Sequence, residues 1–274
     1  MDLPLTPPDG ARPRKRTPKP LMPLRPPREH TRRPLAAGLL VARAPGIPET
    51  DTPGPEAPRP DTAEETTGIV GPAHVAASDL GRLVSADADD PARVFATLDV
   101  APERLPGEPA VRVIRYLLDV AADEFGEALT LDAPGPVAVA VRGGGAAVRE
   151  CAEKAAAAGR SLVLPADATA GDAADFQSSF VHSDAGYLAE ADDAAGVLRV
   201  LASAVAGITG ADVRAAFDRP DAEYLLSLND MAADAVRGLL LGVLVPEPAA
   251  VARDLAGMGF GPRGGVEAVP DWYS

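Results

Sequence analysis

The residues with the most chemical promise are three consecutive glycines. Val137-Ala138-Val139-Ala140-Val141 is a short, apolar, partly β-branched run, and Gly143-Gly144-Gly145 follows it before a helical pattern opens at Ala146. A strand that delivers a glycine turn into a helix N-terminus presents free backbone N–H groups and the positive end of the helix dipole, where phosphate groups bind. Asp167 lies just past the next strand candidate, Ser161-Leu162-Val163-Leu164, where a dinucleotide-binding fold would place its ribose-binding acid. Gly143, Gly144, Gly145 and Asp167 are therefore the candidate ligand-binding residues. The fingerprint is incomplete. Val148 stands where glycine or alanine would permit close helix–strand packing, and no Gly-x-x-x-x-Gly-Lys-Ser/Thr run exists. The competing reading is a flexible strand-to-helix turn, and no cofactor is assigned.

Other constellations carry less. His182-Ser183-Asp184 holds the residue types of a hydrolase triad, but adjacent side chains point in different directions and cannot form the relay by themselves. No Gly-x-Ser-x-Gly elbow accompanies them. Asp87-Ala88-Asp89-Asp90 resembles the start of a calcium loop, yet Ala92 and Leu98 occupy the positions that need glycine and glutamate. Asp90 fits better as a helix cap. His30, His74 and His182 are scattered and Cys151 is the single cysteine, so neither a metal site nor an intrachain disulfide is expected. Cys151 falls on the apolar side of the helix after the glycine turn, which reads as a buried, inert thiol. No catalytic residue is assigned.

The last candidate is electrostatic. Arg14, Lys15, Arg16 and Lys19 form a basic cluster among prolines. Such a cluster suits a protein partner's groove, a nuclear import receptor or the phosphates of a nucleic acid. No aromatic side chain accompanies it, so nucleic-acid contact would be nonspecific. The competing readings are a solvated tail and an arm resting on its own body.

The elements that must position these residues differ along the chain. Seventeen of the 29 prolines fall within the first 72 residues, and the first aromatic residue is Phe95. A stretch so poor in apolar surface cannot offset its ordering entropy. Residues 1–67 are therefore expected to be a disordered, basic, proline-rich arm with an acidic linker, and residues 68–274 a single acidic domain. Thr31-Arg32-Arg33, Leu35–Ala42 and Ala42-Arg43-Ala44 faintly resemble an export signal. The apolar run is too short and Arg43 interrupts the cleavage site, so the run reads as a sticky patch in the arm. No run of apolar residues is long enough to span a membrane.

Within the domain, Asp90-Pro91 predicts a short helix to about Leu98, and Pro109 a second helix carrying Val111, Ile114, Leu117, Leu118, Ala121 and Phe125 at helical spacing. Residues 137–164 form the one clear strand–helix–strand unit, for which a right-handed parallel crossover is expected. Residues 166–191 are ambiguous. Val197 to Ile208 makes an amphipathic helix, Pro220–Val245 is predicted as the longest helix, and Pro248 to about Ala256 as a short one. Trp272 and Tyr273 are expected to pin the tail to the body. The fold class is α/β and helix-rich: a small sheet with at least one βαβ unit and a mostly helical C-terminal half.

These features lead to a non-enzymatic structural, assembly or adaptor protein whose basic arm engages a protein partner. One alternative is an enzyme or sensor binding a phosphate-bearing ligand at residues 143–145. Another is a regulator that contacts nucleic acid through the arm. The chain's 23 arginines against three lysines suggest GC-rich coding. A cytoplasmic address follows if the source is bacterial, and a nuclear or cytoplasmic one if it is viral or eukaryotic.

Overall fold

The computed structural model describes residues 35–43, 68–83, 91–107 and 109–261. The basic cluster Arg14–Lys19, the 84–90 acidic run, His30 and the tail with Trp272 and Tyr273 lie outside these residues.

Eight short strands make the sheet, and every pairing is parallel. They are β1 (Leu40–Ala42), β2 (Ala73–Ala76), β3 (Arg93–Thr97), β4 (Arg112–Ala121), β5 (Val137–Arg142), β6 (Ser161–Leu164), β7 (Tyr187–Glu190) and β8 (Leu240–Val245). Their spatial order is β1-β8-β7-β6-β5-β4-β3-β2, with chain neighbours adjacent throughout. The two ends of that series meet. Leu40 bridges Val70 just before β2, and three hydrogen bonds flank the bridge: Gly38 N to Gly68 O at 2.7 Å, Leu40 N to Ile69 O at 3.1 Å and Gly71 N to Leu40 O at 2.7 Å. The sheet is thus rolled into a barrel with the strand order of a (β/α)8 fold, far larger than the small sheet expected.

Helices cover the outside unevenly. After β4 comes α1 (Phe125–Thr130), after β5 α2 (Gly144–Ala157) and after β6 α3 (Ala170–Phe180). Between β7 and β8 lie α4 (Ala194–Thr209), α5 (Val213–Asp218), α6 (Ala222–Ser227) and α7 (Asp230–Leu239), and α8 (Pro248–Leu255) follows β8. Their ends are set by local chemistry. Thr169 and Asp172 form a reciprocal capping box on α3, and Asp193, Asp212, Asp221 and Asn229 each accept a backbone N–H of the helix they open. Among the described residues, β2–β3 and β3–β4 are bridged only by the 3-10 turns Ala77–Arg82 and Pro102–Arg104.

Two apolar cores result. The outer one lies between the sheet and its helices and includes Val139, Leu162, Tyr187, Leu201 and Phe176. The inner one fills the barrel with one residue from each of seven strands: Val41, Phe95, Leu117, Ala138, Val163, Leu188 and Leu244. No helix among the described residues is long and apolar enough to cross a membrane.

Four expectations are corrected. Arg93–Thr97 and Arg112–Ala121 are strands, not helices; a barrel strand buries both faces, so its apolar residues need not alternate and can mimic helical spacing. The long helix Pro220–Val245 is three elements, α6, α7 and β8. Met231 and Ala235 are exposed there, whereas Val236 and Leu239 are buried. Finally, Leu35–Arg43, placed by sequence in a disordered arm, forms β1 and the turn before it. The rest of residues 1–67 up to Thr67 lies outside the described residues. The strands Val137–Arg142 and Ser161–Leu164, with the helix between them, stand as expected.

Closure leaves no room at Gly71. A Cβ there would lie 2.3 Å from the Gly38 carbonyl oxygen. Replacing Gly71 with Ala should therefore lower the free energy of unfolding by at least about 1–3 kcal/mol. Gly238→Ala, where an added methyl meets open space within α7, should raise it by about 0.5–1 kcal/mol. Urea denaturation of the two variants checks the pair; an unaffected Gly71→Ala protein would mean that the strands do not meet here.

Candidate functional site

Side chains two apart on a strand share a face, and this rule locates a site. Arg43 lies two residues beyond Val41, Thr97 two beyond Phe95, Asp119 two beyond Leu117, Arg142 four beyond Ala138 and Glu190 two beyond Leu188. Each polar residue therefore continues the inward face of its strand past the apolar plug. His74 pairs in register with Phe95 and joins them. The first five sit at or near the carboxyl ends of their strands and ring one mouth of the barrel, and His74, second in β2, lies one layer below them.

Two ion-paired groups stand on its walls. On the β1–β7 side, the Arg43 guanidinium lies 3.2 Å from Asp192 Oδ1 and 3.7 Å from Glu190 Oε1. It also donates to the Ala191 carbonyl at 3.3 Å. Its Nε is buried and makes no hydrogen bond. On the β4–β5 side, Arg142 Nε donates to Asp119 Oδ1 at 2.8 Å, and both side chains are largely exposed, at 69% and 57%.

Glu190 is the chemically poised member. Burial pushes its carboxyl above the ordinary glutamate range, and the nearby charges of Asp119 and Asp192 push the same way. Arg43 and the Ala166 backbone N–H oppose that shift. The carboxyl thus holds a proton more readily than a surface glutamate, beside a second carboxylate in an open setting.

His74 has a different task. Its Nδ1 lies 2.8 Å from the Ala42 carbonyl and its Nε2 2.7 Å from Thr97 Oγ1. A carbonyl only accepts, so Nδ1 carries the hydrogen and Nε2 of the neutral ring accepts from the threonine hydroxyl. Burial lowers the pKa of the ring, only partly offset by the bond to Ala42. The imidazole ties β1 to β2 and β3 just beneath the mouth.

The glycine turn and Asp167 do share this end of the barrel. Gly143 has φ of 125° and caps α2 without a side-chain bond. Asp167 is exposed in the connection after β6, next to β5 in the sheet. His182, Ser183 and Asp184 precede β7 at the opposite end, and the Ser183 hydroxyl is spent on the Ala156 carbonyl and the Ala185 N–H. A shallow hollow with Glu153, Gly159, Ser179 and His182 on its walls lies at that same end. Cys151 is buried on the apolar side of α2, and burial raises its thiol pKa. No group of three or more His, Cys, Asp or Glu that suits a metal occurs among the described residues.

Sequence reasoning missed Arg43, His74, Thr97, Asp119, Arg142 and Glu190. Their signal was a polar residue closing each apolar strand, legible only once the strands are known. Comparison with protein-family models, with curated proteins and with solved structures finds no match.

Two titrations test this site. By carbon-detected NMR, Glu190 should titrate above 4.5, its ordinary value. Asp119→Asn should bring the midpoint down and Arg43→Gln should raise it; a midpoint at or below the ordinary value would remove the poised carboxyl. For His74, the lowered pKa means that the fold favours the neutral ring. Its contribution is complete above 6.5 and is lost as pH falls below that value. Glu190 acts oppositely, its contribution being lost as pH rises above 4.5. Unfolding free energies of the parent and His74→Gln between these limits should therefore differ in slope, the variant losing less stability on acidification. Identical slopes would contradict a neutral, buried imidazole.

Proposed function

We propose that this chain is an enzyme that carries out acid–base chemistry on a small ligand at the carboxyl-end mouth of the barrel. Glu190 is the proton donor and acceptor, Arg43 positions it, and the Asp119–Arg142 pair holds the ligand from the facing wall. The observation that carries the reading is Glu190: a half-buried carboxyl with a raised pKa, beside an exposed carboxylate in a different environment. Such a pair divides acid and base roles between like groups. Architecture supplies a supporting analogy, since (β/α)8 barrels place their chemistry at this end, on residues from several strands.

The glycine turn of the phosphate-ligand alternative becomes one part of this mouth. The expectation of a non-enzymatic adaptor rested on the lack of a catalytic pattern in the sequence. Residues as far apart as 43, 119, 142 and 190 make no local pattern, so that lack weighs little. Partner binding through Arg14, Lys15, Arg16 and Lys19 is a separate proposal, resting on the charge of that segment alone.

Incubating the full chain with a pooled set of small metabolites, followed by mass spectrometry, provides the test. At least one compound should be consumed by the parent and spared by Glu190→Gln, with rates at least about 100-fold apart, as for loss of a general acid–base group. Consumption that persists in Glu190→Gln, or a pool left untouched by both proteins, would count against the assignment.

A further inference from the structure

The charges at the mouth are shared unevenly, and the imbalance selects a class of ligand. On the β1–β7 wall one guanidinium serves two carboxylates: Arg43 lies 3.7 Å from Glu190 and 3.2 Å from Asp192. With Glu190 ionised, this wall carries a surplus negative charge. On the β4–β5 wall, Arg142 and Asp119 balance one another through a hydrogen bond from Nε of the guanidinium. The Arg142 side chain is 69% exposed, so its terminal amino groups can take a second carboxylate in the bidentate manner of guanidinium forks. Helix α2 begins two residues later, with no side-chain cap and no acidic residue in its first turn. Its dipole adds positive potential to the same wall.

We propose that the mouth binds a zwitterion of the amino-acid type, its ammonium directed to Glu190 and Asp192 and its carboxylate to Arg142. This rests on the mouth being the ligand site proposed above. A simple anion would gain Arg142 but face the uncompensated carboxylates opposite. A simple cation would gain the carboxylates and leave the guanidinium fork unused. A zwitterion satisfies both walls, each of its two charges meeting an opposite charge as it leaves water.

Calorimetric titration of the full chain tests this with matched probes. The panel is the common α-amino acids and the ω-amino acids from glycine to 6-aminohexanoate, each beside the carboxylic acid and the amine that lack the other charged group. At least one zwitterion should bind at least about tenfold tighter than both of its singly charged counterparts. Arg142→Gln and Glu190→Gln should each weaken that zwitterion about tenfold, and Arg142→Lys less. Arg142 is exposed, so its variants keep the fold, which circular-dichroism melting verifies. An acid or amine that binds as well as its zwitterion, but depends on Glu190, would overturn the ligand class and leave the mouth as the site. Zwitterion binding indifferent to both Glu190→Gln and Arg142→Gln would overturn the site itself. A panel with no binding at about 10 mM would overturn the ligand class.

Discussion

Closure of the sheet depends on how near two backbones can come at Gly71. The Gly38 carbonyl oxygen occupies the space that any side chain at Gly71 would need, and the hydrogen bonds of residues 68–71 with β1 are possible only at that distance. β1 is three residues long and is held on both edges: by Val243, Leu244 and Val245 of β8 on one side and by this seam on the other. Beyond the single bridge at Val70, the His74 ring of β2 bonds the Ala42 carbonyl. Without the seam, β1 and Arg43 would be held through β8 alone, where Arg43 N bonds the Val245 carbonyl at 2.6 Å.

The apolar interior explains why the charges gather where they do. Val41, Phe95, Leu117, Val163, Leu188 and Leu244 fill the barrel and leave no room for a buried ion. Polar side chains on the inward face therefore occur beyond this plug. Toward the carboxyl ends they pair laterally, Arg142 with Asp119 and Arg43 with Glu190 and Asp192. Toward the amino ends, Arg115 reaches Ser161 at 2.7 Å. Glu190 is the member for which pairing falls short: its burial outweighs the help of Arg43. That shortfall leaves the carboxyl with a higher proton affinity than an ordinary ion-paired glutamate.

Local chemistry made part of this fold legible. The β5–α2–β6 unit could be read because Pro136, the glycine turn and Gly159 punctuate it, and because its strands are short and β-branched. The α4 stripe and the start of α8 were equally clear. The chain from Leu239 to Val245 was not, since a continuously apolar strand buried on both faces looks like the extension of the helix before it. β4 failed for the same reason. β1 was hidden by its surroundings: a short apolar run between a proline-rich basic stretch and a proline-rich acidic one. The site was legible only in its glycine turn. Its side chains lie on or directly after six strands between residues 43 and 190, and no spacing in sequence encodes their meeting in space.

The pairing of Leu40 with Val243 joins residues roughly two hundred positions apart. Like the neighbouring pairs Val41–Leu244 and Ala42–Val245, it can form only after both β1 and β8 have been made. Until β8 is made, neither β1 nor β7 has its partner on that edge. Because β8 lies between β1 and β7, the wall that sets Arg43 beside Glu190 is complete only with β8 in place.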